Sequence, residues 1–306
     1  MGRINAAVGR LDRWQQRHAV PAVAYAVVKQ YGSDHAAQTV VVLGWYGFVG
    51  IYPLLLAVVT VLGFVGASSL GHGLVATLHR FPVIGADFHP AHPAASLHGS
   101  ALGLVVGLVG LAYGAQGVTQ TALRAMATAW HVPPTATGQF PVRLARSLGG
   151  LAVIGTTFLV DAAAGGYATA SATPWAARAG VLVGLLAVNV GLYAATFAVL
   201  TPGRRPLRSY LPGAALGGFG FTLLVTVGTG LLEHQVRHSS AAYGQFGVVI
   251  GLVAVLFLLA QVSLYGAELN PVLAERLWPR ALRPDHPTAA DHRAAAVLAR
   301  ALPHAA

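Results

Sequence analysis

The sequence predicts an all-α integral membrane bundle of six transmembrane helices, preceded by an N-terminal interfacial amphipathic segment. Three observations carry that expectation. Six long apolar stretches lie near residues 39–66, 98–120, 148–170, 179–200, 211–233 and 246–269. Each exceeds the roughly 20 residues that a helix rising about 1.5 Å per residue needs to cross about 30 Å of hydrocarbon. Only 9% of residues are charged and 55% are apolar, with mean hydropathy +0.63, against about 25% charged in an ordinary soluble domain. The third observation is an alternation of charge. The segments before, between and after the six stretches carry 5, 1, 3, 1, 3, 1 and 5 Lys plus Arg. Cytoplasmic loops keep basic residues and translocated loops are depleted of them. The expected topology therefore puts both termini in the cytoplasm, with 16 basic residues inside and 3 outside an inner membrane.

Taken in order, residues 1–38 read as one or two helices lying in the cytoplasmic interface, with Pro21 as the expected break, since proline lacks the donor a helix interior needs. Arg3, Arg10, Arg13 and Arg17 followed by the apolar run Ala19–Val28 imitate a signal peptide, but Lys29 and Asp34 come at once, so no cleavage is expected. The membrane domain is expected over residues 39–283. Span one contains Pro53, which frees the carbonyl of Val49 and predicts a kink. Residues 67–97 form the longest external loop. Span two carries Gly99, Gly103 and Gly107 at four-residue spacing, then Gly110 and Gly114; Gly213/Gly217 in span five and Gly247/Gly251 in span six repeat the pattern. Small residues at that spacing let another backbone approach closely; they read as tight packing, with a sliding interface in a transporter as the alternative. The segment 121–147, with Arg124, Trp130, Arg143 and Arg146, reads as an internal amphipathic helix, a turn at Pro133-Pro134 and a return to the membrane. A Pro-, Ala- and His-rich tail over 284–306 is expected to be disordered.

The chemistry-bearing residues exclude several functions. There is no cysteine, hence no disulfide, thiolate site or cysteine nucleophile. Lys29 is the only lysine, so the phosphate-binding GxxxxGK[ST] loop is absent. No HExxH pair or GxSxG elbow is present. The net charge of +10 does not imply a nucleic-acid partner, because the basic residues sit at helix ends, as Arg204, Arg205 and Arg208 do, where they hold topology and meet anionic lipid headgroups. The chain is expected to be no enzyme and to bind no cofactor and no metal. His234 and His238 are four apart, a spacing that can present two imidazoles on one face, but histidines near outer loops are ordinarily solvated.

Ionisable residues inside a membrane cost on the order of 3 kcal/mol and tend to face a cavity or a partner. Asp161 in span three is the leading contact for a substrate, proton or ion, with hydrogen-bonded packing as an equal alternative. Asn189 in span four serves either as interhelical glue or as a ligand. Glu233 ends span five at the outer interface, and Glu268 ends span six on the cytoplasmic side.

Four stretches together resemble the YihY/BrkB family of bacterial inner-membrane proteins. Trp45-Tyr46-Gly47-Phe48-Val49-Gly50-Ile51-Tyr52-Pro53-Leu54-Leu55-Leu56 is similar to its aromatic first-span motif, and Ala122-Leu123 through Trp130 to the pattern after span two. Ser209-Tyr210-Leu211-Pro212-Gly213-Ala214 resembles the start of span five. Tyr243-Gly244-Gln245-Phe246-Gly247 and Gly266-Ala267-Glu268-Leu269-Asn270 resemble the span-six signature. Tyr52 stands where the family commonly has Phe, and Gly50-Ile51 replaces its usual Ser-Leu. The resemblance covers roughly residues 20–280 and implies six spans. It also implies export or lipid-related transport, and gives weight to Glu268 and Asn270. The ribonuclease BN label that members have carried fits neither the motifs nor the composition. The functional expectation is a transporter or export factor for a lipid or amphipathic molecule, with membrane lipids as partners. The alternative is a non-catalytic scaffold for envelope proteins.

Overall fold

The computed structural model describes residues 2–65, 101–133, 141–150, 152–153, 156, 175–203, 205–238 and 241–301. Among these the chain is helical and contains no strand. The helices are α1 (Gly2–Arg17), α2 (Ala19–Ser33), α3 (Ala36–Val65), α4 (Ala101–Ala129), α5 (Trp175–Leu200), α6 (Leu211–His238), α7 (Ala241–Ala274) and α8 (Ala289–Ala301). A further helical stretch covers 141–150, and a single 3₁₀ turn, Leu207–Ser209, leads into α6.

The first helix break is at His18, not at Pro21. His18 is extended (φ −116°, ψ 120°) and its carbonyl accepts from the Ala22 N–H at 3.1 Å. Pro21 is the third residue of α2, where a backbone N–H has no intrahelical acceptor, so the missing donor costs nothing. The next turn is tight. Asp34 N–H donates back to Gln30 O at 2.9 Å, and His35 adopts a left-handed conformation (φ 53°) that reverses the chain into α3. Pro53 lies inside α3, which continues as one helix through it.

Two helical stretches, Trp175–Leu200 and Val249–Ala274, are long and apolar enough to cross a membrane, and shorter apolar ones cover Ala36–Ile51 and Leu211–Val225. Only 17% of either long window is buried within the protein. Val183, Ile250, Val109 and Tyr113 are all more than 60% exposed. A soluble core helix of this composition would be covered, because exposed apolar surface costs about 25 cal/mol per Å² in water. These faces belong against lipid.

The helices pack in the order α4–α3–α7–α6–α5, with α2 laid along α7. The close approaches use glycine. A Cβ on Gly114 would come within 2.9 Å of the Gly50 backbone, and one on Gly110 within 2.8 Å of Pro53, which seats α4 on α3. Gly218 brings α6 against the Val190 backbone of α5, and Gly213 brings it against Gly266 of α7. The tightest apolar packing gathers Leu123 and Met126 of α4, and Trp130 just after it, with Phe197, Leu200, Tyr210, Ala214 and Ala267. That cluster sits at the end of the bundle where α4 and α5 finish and α6 begins.

Residues 289–301 do not form the disordered tail expected from composition. They make α8, whose first turn is closed by the Asp291 carboxylate, accepting from the Thr288 N–H at 3.0 Å and the Thr288 hydroxyl at 2.9 Å. The helix forms because Asp291 also has partners from the opposite end of the chain.

Candidate functional site

Those partners belong to one polar layer at the end of the bundle where both termini meet. Lys29 Nζ donates to Asp291 Oδ1 at 2.9 Å and to Ala281 O at 3.0 Å. Arg280 Nε reaches Asp291 Oδ1 at 3.2 Å and its Nη1 reaches Gln30 Oε1 at 3.2 Å. From α1, Gln15 donates to Arg280 O at 2.7 Å, and Asp12 accepts from Leu282 N–H at 3.0 Å. Burial disfavours the Asp291 anion, but bonds from the Ala281 N–H, Lys29 and Thr288 outweigh it and hold its carboxyl well below the usual range. Asp12 is lowered in the same way, its burial overcome by Leu282, Gln16 and Gln15.

The layer continues inward through Gln30, which is 1% exposed. Its Nε2 donates to Asp34 Oδ2 at 3.2 Å, and His131 Nε2 lies 3.5 Å from Asp34 Oδ1. The positions of Asp34 and His131 follow from two helix ends. α2 stops at Ser33, and α4 ends where His131 turns left-handed (φ 48°) beneath Val132 N–H→Ala127 O at 2.8 Å.

Two residues further along α7 from Glu268, Asn270 is fully buried and its Oδ1 accepts from the Gly213 N–H at 2.8 Å. That bond satisfies a donor at the first turn of α6. Asn189, also fully buried, donates from Nδ2 to Thr222 Oγ1 on α6 at 3.1 Å, the interhelical tie anticipated as one of its two roles. Gly103, Gly107, Gly247 and Gly251 lie within α4 and α7. Asp161 lies outside the described residues, as do the outer loop 67–97 and most of span three.

A second group sits beside the layer. The Arg205 guanidinium lies 3.9 Å from the centre of the Trp130 ring, Trp130 meets Tyr210 edge to face at 5.9 Å, and Arg205 pairs with Glu275 at 3.5 Å. Arg205 therefore joins α4, α6 and the end of α7 as well as marking topology.

Glu268 and Asn270 are both buried on α7, two residues apart and so on different faces, and Asn189 is buried on α5. Sequence reasoning missed Asp34, His131, Gln30, Arg280 and Asp291. All five lie outside the apolar stretches, so the rule for intramembrane charges passed over them; the one available signal was the scarcity of acids, nine in the chain. Among the described residues no three His, Asp or Glu side chains are disposed to hold a metal ion. Glu268 Oε2, His131 Nδ1 and Asn270 Nδ2 are buried without a hydrogen-bond partner among the described residues. An orphaned buried polar group costs about 1–3 kcal/mol, and with Gln15 Oε1, orphaned in the same way, each of these atoms requires an explanation.

The model of the family described as Virulence factor BrkB matches residues 27–292. No curated protein and no solved structure matches the chain.

Proposed function

Starting from the fact that this chain belongs to the BrkB family and is a membrane protein, we propose that it is a six-span transporter or export factor of the bacterial inner membrane. Both termini are cytoplasmic, and the cargo is a lipid or amphipathic molecule. The carrying observation is the polar layer with its orphaned Glu268, His131 and Asn270 atoms. In this reading the layer is the cytoplasmic gate, and the orphaned atoms are the groups that meet a headgroup or a coupling ion. Asp161 is the corresponding contact in the outer half. The sequence has no P-loop, so an ion gradient, a partner ATPase or passive equilibration supplies the energy. The chain acts without catalysis, cofactor or nucleic acid.

The test is movement of fluorescent phospholipid across proteoliposomes holding the full chain. Faster redistribution than in protein-free vesicles, slowed by Glu268→Gln and Asp161→Asn, supports the proposal. Equal rates in both, across anionic and zwitterionic lipids and with an imposed proton gradient, refute it.

A scaffold for envelope proteins is the second reading. It is favoured by α1, which turns Asp12 and Gln15 inward and leaves Leu11 and Trp14 more than half exposed beside Arg10, Arg13 and Arg17. On the transport reading the same face rests on anionic headgroups. Loss of a co-purifying envelope protein on substituting Leu11 and Trp14, with lipid movement absent throughout, favours the scaffold.

A further inference from the structure

α1 is built inside out. Its polar side chains Asp12 and Gln15 are buried against the protein, while Leu11 and Trp14 are more than half exposed. A helix that faces water does the opposite, with apolar residues inward and polar ones outward. Arg10, Arg13 and Arg17 are exposed and share one row of the helix. Leu11 and Trp14 form the row beside it, and the His18 ring lies 5.0 Å from that of Trp14. The outer face is thus a strip of cations along a strip of apolar and aromatic groups. α2 adds exposed apolar residues of its own. Val20 is 81% exposed, and Ala24 and Val28 are exposed one and two turns further on, while Ala26 and Val27 pack against Val272 of α7.

The outer face carries one sign of charge. Asp12 is the only acid between Gly2 and Ser33. It is turned inward, where it accepts from the Leu282 N–H at 3.0 Å and from Gln16 Nε2 at 2.8 Å. Among the described residues Arg10, Arg13 and Arg17 make no ion pair, whereas Lys29, Arg205, Arg280 and Arg283 each do. A partner matched to the apolar row alone would leave three arginines without counter-charge. A polar, hydrated partner would leave Leu11 and Trp14 uncovered. A phospholipid leaflet that is anionic at its surface and apolar just beneath satisfies both rows at once.

We propose that the outer face of α1 is a docking surface for anionic phospholipid, at the end of the bundle where the two termini meet. Leu11 and Trp14 enter the interface, and Arg10, Arg13 and Arg17 meet headgroup phosphates. Asp12, bonded to the Leu282 N–H, and Gln15, bonded to Arg280 O at 2.7 Å, set the rotation of the helix that presents this face. The same two bonds join α1 to the segment 280–282, so lipid that holds α1 also holds the terminal polar layer. The inference rests on the membrane placement in the function proposed above, and not on any cargo.

The experiment places a nitroxide at residue 11, through Leu11→Cys in the otherwise cysteine-free full chain. Its depth is read from collisions with oxygen and with a water-soluble nickel chelate. Nanodiscs of pure phosphatidylcholine are compared with nanodiscs of equal parts phosphatidylcholine and phosphatidylglycerol. The label should settle at headgroup depth in the anionic discs and lie nearer water in the neutral ones. Each arginine near an anionic surface is worth about fivefold in partitioning. Arg10→Gln, Arg13→Gln and Arg17→Gln together should therefore erase the difference between the two lipids. Equal depth in both lipids overturns the proposal, as does a difference that survives the triple substitution. Shielding of the label in lipid-free detergent as protein concentration rises assigns the face to a second copy and overturns it too. If the triple variant does not fold, the comparison of the two lipids decides alone. A lipid-dependent depth in a protein that moves no lipid upholds the docking surface and refutes transport. Lipid movement with residue 11 in water in both discs does the reverse.

Discussion

Glycine does different work at the two ends of this bundle. At the start of α6, a Cβ on Gly213 would lie 1.9 Å from Gly266 O and 2.5 Å from Asn270 Oδ1. Along α5, a Cβ on Gly180, Gly184 or Gly191 would meet nothing within 4 Å. The first glycine holds two backbones together beside a buried polar layer. The others lie on a helix whose Leu182, Val183 and Val188 are exposed. The lesson is that small residues at helical spacing do not by themselves mark an interface; what a Cβ would meet at each one does.

Breaking this comparison at Gly213 should have the largest effect. Gly213→Leu meets backbone, not a flexible side chain, so relaxation requires α6 and α7 to separate. We expect a loss exceeding the usual 1–3 kcal/mol of overpacking, read as lost monodisperse protein or a collapsed thermal transition in detergent. Next comes Asp291→Ala, which removes bonds to Lys29, Arg280, Ala281 and Thr288 at once. A cost of about 2–3 kcal/mol should appear as faster hydrogen exchange over residues 280–295.

The same contact carries a pH signature. Because the folded Asp291 pKa is depressed, its contribution is complete above the unfolded carboxylate value of about 3.9 and is lost as pH falls below it. Exchange over α8 should therefore accelerate only on acidification below about pH 4, and Asp291→Ala should remove that dependence. A smaller effect is expected at Arg205→Ala, about 1 kcal/mol for a partly exposed cation over an aromatic ring, measured as a modest fall in Tm. Gly184→Ala should lie within about 0.5 kcal/mol of the parent chain. A large loss there would erase the contrast.

Much of the helical architecture was legible because its cause is local. Apolar length marks the cores of α3 to α7, and Pro202-Gly203 marks the end of α5, whereas Pro53 and Pro271 lie inside α3 and α7. Glu268 and Asn270 stood out through their resemblance to a family signature, and Asn189 because polar side chains are scarce in an apolar helix. The layer itself was not legible. Asp12, Lys29 and Gln30 meet Arg280, Ala281, Leu282 and Asp291 across some 250 residues of chain, and no spacing rule connects them. The tail shows why: 289–301 has no apolar stretch to mark it, its alanines favour helix, and Asp291 in its first turn is bound by Lys29 from the other terminus. The glycine stripes were half legible. Gly213 and Gly217 do meet Gly266 and the Tyr193 ring, and Gly110 and Gly114 meet Pro53 and Gly50, while Gly117, which the spacing did not single out, meets the Tyr46 ring.

The proposed arrangement sets the bonded polar end in the cytoplasm and the bare apolar flanks in lipid. Two single-cysteine variants test it in a chain with no native cysteine. Arg208→Cys sits on the exposed loop beside the polar layer, and Val188→Cys on the exposed face of α5. With a membrane-impermeant maleimide, residue 208 should stay unlabelled in intact cells and react fully in inverted vesicles, while residue 188 reacts in neither. Labelling of residue 208 from outside the cell, or ready labelling of residue 188 from either side, would contradict it.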